Sequence, residues 1–179
     1  MKISNSFTVQ ASPEDAYRIV TDVKRVAPCF PGARLDKQID ADTFRGDVVI
    51  ALGPVKVNFA GKLQFTHRDQ AALGARLRAR GKEQQGRGAA DATVSMQLEP
   101  EGDATRVVLA PDLHRAGAVA QYGRGAGVLE SVAAAVHEEF AENLAKSMAG
   151  EPVDAGAQPI SGARIVGRAV VDSVKKKIT

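Results

Sequence analysis

"AQYGRGAGVLESVAAAVHEEF" (residues 120–140) is where the chain changes its hydrophobic period. Ahead of it, apolar residues alternate as they do in strands; beyond it, they recur every three to four residues as they do in a helix. Leu129, Val132, Ala133, Val136, Phe140, Leu144 and Met148 follow the i, i+3, i+4, i+7 rule, with His137, Glu138, Glu139, Glu142 and Lys146 mostly opposite. A helix of about 24 residues follows, roughly 36 Å long at 1.5 Å per residue, long enough to cover a curved sheet. The glycines at 123, 125 and 127 first suggest a phosphate cradle. The dinucleotide fingerprint, however, is G-x-G-x-x-G after a parallel strand, with an acid about 20 positions on. Here the spacing is G-x-G-x-G and no βαβ unit follows. Two readings remain. The glycines form a flexible corner between the last strand and the helix, or Gly123, Arg124, Gly125 and Gly127 form a portal with Tyr122 and Arg124 at its mouth.

The segments before the corner read as strands with one apolar face. Ile3, Asn5, Phe7 and Val9 alternate with polar neighbours. Ser12 is then an N-cap, with Pro13 at the first helical position and Asp15 at N3, opening a short helix to about Val20. Thr21 or Asp22 caps a second short helix, which ends before Pro28, Pro31 and Gly32. In the strands that follow, Phe44, Val48, Ile50 and Leu52 share one face, then Val55, Val57, Phe59, Leu63 and Phe65, then Leu73, Ala75, Leu77 and Ala79. Ala92, Val94, Met96 and Leu98 continue the series, and a last strand runs to about Leu113. Arg76, Arg78 and Arg80 point outward. One-face alternation over strands joined by short turns means an antiparallel sheet with one buried face. The expected class is α+β: a curved antiparallel sheet of about seven strands around a long C-terminal helix, with two short helices after strand one.

Composition bounds the function. The chain has 179 residues, 44% hydrophobic, 4% aromatic and without Trp, which fits one domain with a core of Val, Leu, Ile and Ala. Such a core, with small residues at Ala126, Ala133 and Ala141 facing Gly61, Ala75, Ala79 and Ala92, fills its interior poorly and leaves room for an apolar ligand. Leu52, Phe59, Phe65, Leu77, Met96, Tyr122, Leu129 and Val136 are the candidate lining residues, each of which also serves as ordinary core. Cys29 is the single cysteine, which excludes an internal disulfide and fits a reducing cytoplasm. The start has no apolar h-region and no run is long enough to cross a bilayer, so a cytoplasmic location is expected.

Charge divides the chain. From Ser161 to Thr179 there are five cations (Arg164, Arg168, Lys175, Lys176, Lys177) and one acid (Asp172), while the total is +3, which leaves the first 160 residues at −1. A near-neutral body argues against a nucleic-acid partner. The expected layout is a body over 1–149, a Gly/Pro/Ala-rich linker over 150–162 and a basic amphipathic tail over 163–179. In the tail, Val166, Val170, Val174 and Ile178 share one arc, with Arg164, Arg168, Lys175 and Lys176 on the other. Each basic residue near an anionic leaflet contributes about 1 kcal/mol and each fully buried Val or Ile roughly 1.5–3 kcal/mol. Reversible contact of these eight residues with a membrane surface is one reading; a tail docked on the body, or disordered, is the other.

Catalytic and metal signals are thin. "HEEFA" (137–141) has the first half of a zinc-protease motif but no second His at 141. No metal is expected. His67, Asp112 and His114 are the candidate acid–base groups, with a solvated pair as the simpler reading of Asp112 and His114. Glu138, Glu139 and Glu142 read as an exposed helix face, and Cys29 as a buried thiol.

"CFPGA" (29–33), "GPVKVNFAGKLQF" (53–65), "GRGAADATVSMQL" (86–98) and "DLHRAGAVAQYGRGAG" (112–127), in this order and spacing before the helix, resemble the CoxG-like family, named for the G subunit of carbon monoxide dehydrogenase, within the START/Bet v 1-like (SRPBCC) superfamily. The resemblance covers roughly residues 1–148 and implies a helix-grip fold with a hydrophobic cavity. It also implies a non-catalytic accessory protein without covalent cofactor that binds an isoprenoid quinone such as menaquinone or ubiquinone, or a similar lipid. The implied partner is a molybdenum hydroxylase-type, carbon monoxide dehydrogenase-like oxidoreductase, recruited to the inner face of the cytoplasmic membrane. Two alternatives stand beside this: a polyketide cyclase or dehydratase on the same fold, which needs polar groups pointing inward, and a protein-interaction module without ligand.

Overall fold

The computed structural model describes residues 5–52, 55–86, 88–117, 126–153 and 160–161, with side chains described for all of these except 52, 55, 113–117, 126–133 and 160–161. Strand β1 (Asn5–Val9) leads into helix α1 (Pro13–Thr21) and helix α2 (Val23–Val26), followed by a 3₁₀ turn over Ala27–Cys29. Six strands follow: β2 (Ala33–Gln38), β3 (Thr43–Leu52), β4 (Val55–Asp69), β5 (Gly74–Glu83), β6 (Gly88–Glu101) and β7 (Ala104–Gly117). Helix α3 (Ala126–Met148) closes the body, and a two-residue strand β8 (Ile160–Ser161) comes last. The sheet path is β1-β7-β6-β5-β4-β3-β2, antiparallel throughout, with β8 added in parallel to β3 at Ile50 and Ala51. This is the expected α+β helix-grip arrangement. Strand β2 has no counterpart among the strands read from hydrophobic alternation, and β8 lies inside the stretch read as linker.

Local chemistry explains the element boundaries. The Ser12 hydroxyl accepts from Asp15 N at 3.2 Å, and Pro13 needs no donor at the first helical position. Asp22, rather than Thr21, caps α2: its carboxylate accepts from Lys24 N at 3.1 Å and Arg25 N at 3.3 Å. Gly32 has φ +73°, and a Cβ there would lie 2.3 Å from Val49 O, so the turn into β2 admits glycine alone.

The sheet has two ends. At the near end, α1 sits on the turns after β1, β4 and β6, with Tyr17 Oη donating to Gly74 O at 3.3 Å and Thr105 Oγ1 donating to Ala11 O at 2.8 Å. The sealed core lies here: Val9, Ala16, Tyr17, Val20, Phe44, Phe65, Met96, Leu98, Val107 and, from α3, Leu144. The far end carries the β3–β4 and β5–β6 turns. Helix α3 spans the gap between the sheet's two edges. His137 Nε2 is 3.1 Å from Ser6 O on β1, and Asn143 Nδ2 donates to Cys29 O at 3.1 Å, next to β2. Phe140 packs edge-on against Phe7 and tilted against Phe30, so one aromatic contacts both edges.

Candidate functional site

Directly opposed residues in an antiparallel ladder share a face, so register alone sorts the inner surface into rows. One row runs Gly46–Gly61–Gly81–Ala90 across β3, β4, β5 and β6. Beside it Ala79 stands opposite Ala92. No side chain in this band is larger than a methyl group. The glycines also permit strong curvature: a Cβ on Gly61 would lie 1.9 Å from Arg80 O, and one on Gly46 would lie 2.4 Å from Arg34 O. Neighbouring backbone thus approaches too closely at Gly61 and Gly46 for any side chain, and the row itself projects almost nothing inward.

Burial follows the same division. Phe65 and Met96 are fully buried in the near-end core, and Leu77 packs partly buried against it. Phe59, Ala79, Gly81, Ala90 and Ala92 are half-buried, as is Val136 on α3. Beyond them, Glu83 is only 4% exposed and stands opposite Phe59. Its Oε2 accepts from Gln85 N at 2.8 Å. Of the other lining candidates, the side chains of Leu52 and Leu129 lie outside the described residues, and so does all of Tyr122. The portal positions Gly123, Arg124 and Gly125 also lie outside them. Gly127 is already within α3, as its second residue. The tail positions Arg164, Val166, Arg168, Val170, Val174, Lys175, Lys176 and Ile178 are outside the described residues as well.

The acid–base candidates do not gather on the inner face. A bulge between Phe65 and His67 shifts the register, so His67 pairs with Arg76 and its side chain is exposed. Asp112 stands opposite Thr93, which in turn stands opposite the outward Arg78, and the register sets His114 across from Asp91. His137 of the partial zinc motif lies tilted against the Phe7 ring. Glu142 Oε1 is 3.4 Å from Lys146 Nζ on the same helix. Among the described residues no group of three or more His, Cys, Asp or Glu side chains is placed to hold a metal ion, and no helix is long and apolar enough to cross a membrane. Cys29 is fully buried, and burial pushes its thiol above the ordinary value.

The outer face of β4, β5 and β6 holds a trough of about 670 Å³. Asp91 sits in it as an acceptor for two guanidiniums. Arg78 donates through Nε at 2.9 Å and Nη2 at 2.5 Å, and Arg80 Nε donates at 3.1 Å. The Arg78 hydrogen bonds hold the Asp91 carboxyl down at about 2. Burial of Tyr17 at the near end raises its phenol, with the nearby Arg68 opposing. The Arg68 guanidinium lies 3.9 Å from the Phe65 ring centroid, a cation–π lid on the core.

Two features lie beyond the sequence reading. Glu83 continues the inward series 75, 77, 79, 81, and following that alternation two residues past Gly81 would have found it. The outer rows needed the register between strands, which no single strand carries.

Compared with known proteins, residues 6–149 match the family model for CoxG, the G subunit of carbon monoxide dehydrogenase. No curated protein matches the sequence. Among solved structures, a conserved protein from Geobacillus kaustophilus superposes with TM-score 0.72 at 20% identity, covering 84% of this chain and 96% of that one. Protein Ms6760 from Mycobacterium smegmatis superposes at 0.58 and 14% identity, covering 83% and 91%. The Zhui aromatase/cyclase from Streptomyces sp. R1128 superposes at 0.57 and 15% identity, covering 85% and 99%. At these identities the structural likenesses establish the helix-grip fold and nothing about activity.

Proposed function

The chain belongs to the CoxG family of carbon monoxide dehydrogenase subunits, and from that footing we propose that it is a non-catalytic accessory protein whose body carries an apolar molecule. The observation that carries the reading is the inner band Gly46–Gly61–Gly81–Ala90 with Ala79 and Ala92, half-buried although no side chain in it exceeds a methyl group. Packed protein interiors leave few voids, and an apolar guest supplies the contacts that methyl-sized side chains do not, at about 25 cal/mol per Å² buried. An isoprenoid quinone fits this lining by chemistry. Its tail suits the Ala, Leu and Val surface, and its ring suits the face of Phe59. Glu83 adds one polar group at the far end of the same face.

The partner in this reading is a carbon monoxide dehydrogenase-like, molybdenum-containing oxidoreductase, as the family description suggests. The tail over 163–179 contacts the anionic inner face of the cytoplasmic membrane, with the basic and aliphatic arcs sharing the contact. The portal at Gly123, Arg124, Gly125 and Gly127, with Tyr122 at its mouth, is the proposed entrance. Acid–base chemistry of the cyclase kind is disfavoured for the candidates named from sequence, because the exposed His67 and the outer-row Asp112 do not line the band. Organic extraction of the purified protein followed by mass spectrometry tests the ligand.

A further inference from the structure

On the outer face, four cations succeed one another across four strands. Lys37 opposes Arg45, Arg45 opposes Lys62, and Lys62 opposes Arg80, before Asp91 interrupts the run of cations. Like charges directly opposite in a sheet are destabilising, so the fold gains nothing from this order. Asp36 binds Arg45 at 2.9 Å, and Asp91 serves both Arg78 and Arg80. Lys62 and Lys82 are exposed and neither makes a salt bridge among the described residues, although the charge of Lys62 is felt at Asp40. Lys62, Arg78, Arg80 and Lys82 all line the trough, with Asp91 the one acid among its described lining residues.

We infer that this trough is the docking site for an extended acidic segment of a protein partner. Arg78, Arg80 and Lys82 project from alternate positions of β5, and alternate positions on a strand are about 7 Å apart. Carboxylates at every second residue of an extended peptide repeat at the same distance. Lys62, one strand away at about 4.8 Å, broadens the positive stripe. Concavity favours a peptide over a bilayer, since a flat leaflet does not follow a trough. The chain's own tail carries a net charge of +4 from 161 to 179 and is repelled from it. The inference deepens the accessory reading by naming the chemistry of the partner's contact, and rests on that reading for the existence of a partner.

The test uses the full chain, a synthetic labelled peptide with glutamate at alternate positions, its glutamine analogue, and phosphatidylglycerol vesicles. Fluorescence anisotropy should show binding of the glutamate peptide only, weakened as added salt shortens the screening length. Lys62→Glu/Lys82→Glu should weaken it at least about tenfold, while Lys24→Glu, a charge reversal outside the trough, leaves it within about twofold. Lys62→Gln/Lys82→Gln serves if circular dichroism shows the reversed variant misfolded. Vesicle binding should be the same in the wild type and the trough variants. Failure of the wild type to bind the peptide, equal binding by the variants or by the glutamine analogue, or vesicle binding lost in the variants would overturn the inference. A co-purified apolar ligand alongside no peptide binding would overturn it alone and leave the ligand reading standing.

Discussion

Glu83 and Phe59 stand directly opposite each other on the inner face, a buried carboxylate beside an aromatic ring at the far end of the glycine and alanine band. The sealed core lies at the other end, so a side chain at Phe59 can be removed without opening that core. Full truncation of a buried Phe costs about 3–5 kcal/mol, and half-buried Phe59 should cost about half as much. Phe59→Ala should therefore stay folded by thermal melt while losing most of any apolar molecule retained through purification. Unchanged retention would remove Phe59 from the lining.

Gly61 tests the curvature. A Cβ there meets the Arg80 carbonyl at 1.9 Å, backbone against backbone, with no flexible side chain to yield. Gly61→Ala should cost about 3 kcal/mol, the upper range for overpacking. Gly74→Ala is the control, since its nearest neighbour is the terminal Gln97 Oε1 at 3.1 Å, and it should melt within a few degrees of wild type. Equal melting temperatures for the two variants would show that the glycine row is not what bends the sheet.

Asp91 gives the pH dependence a sign. Its carboxyl is held at about 2, below the ordinary 3.8, chiefly by Arg78. A depressed folded value contributes stability that is complete above the unfolded value and is lost as pH falls through about 2. Thermal melts from pH 6 down to pH 2 should fall less steeply for Asp91→Asn than for wild type. Parallel curves would mean that Asp91 is as easily protonated folded as unfolded. At neutral pH the same variant leaves Arg78 and Arg80 without their acid and should tighten binding of the glutamate peptide.

Deletion of residues 162–179 should shift the protein from the membrane to the soluble fraction after cell lysis. Several cations and aliphatic side chains acting together give reversible attachment, and the described body has no helix that crosses a bilayer. Distribution unchanged by the deletion would assign attachment to another surface.

Hydrophobic period carried most of the architecture. The alternation in β3 to β7 and the 3.6-residue repeat from Leu129 to Met148 sufficed for an antiparallel sheet gripping one helix. What escaped has physical causes. Strand β2 turns exposed from Asp36 onward and bulges between Leu35 and Lys37, so it shows almost no alternation. The bulge after Phe65 turns His67 to solvent, a one-residue shift that period-two counting does not foresee. The row Lys37–Arg45–Lys62–Arg80 is distributed over four strands and exists only once their registers are set. In the same way Gly46, Gly61 and Gly81 are isolated breaks in three strands until the ladders align them.

Native mass spectrometry of the intact chain, purified without detergent and followed by organic extraction, tests the central claim most directly. The account predicts a mass increment of one isoprenoid quinone or similar lipid per chain, recovered in the extract and depleted in Phe59→Ala. A chain that is reproducibly at its bare sequence mass, and that stays so after incubation with menaquinone or ubiquinone, would contradict it.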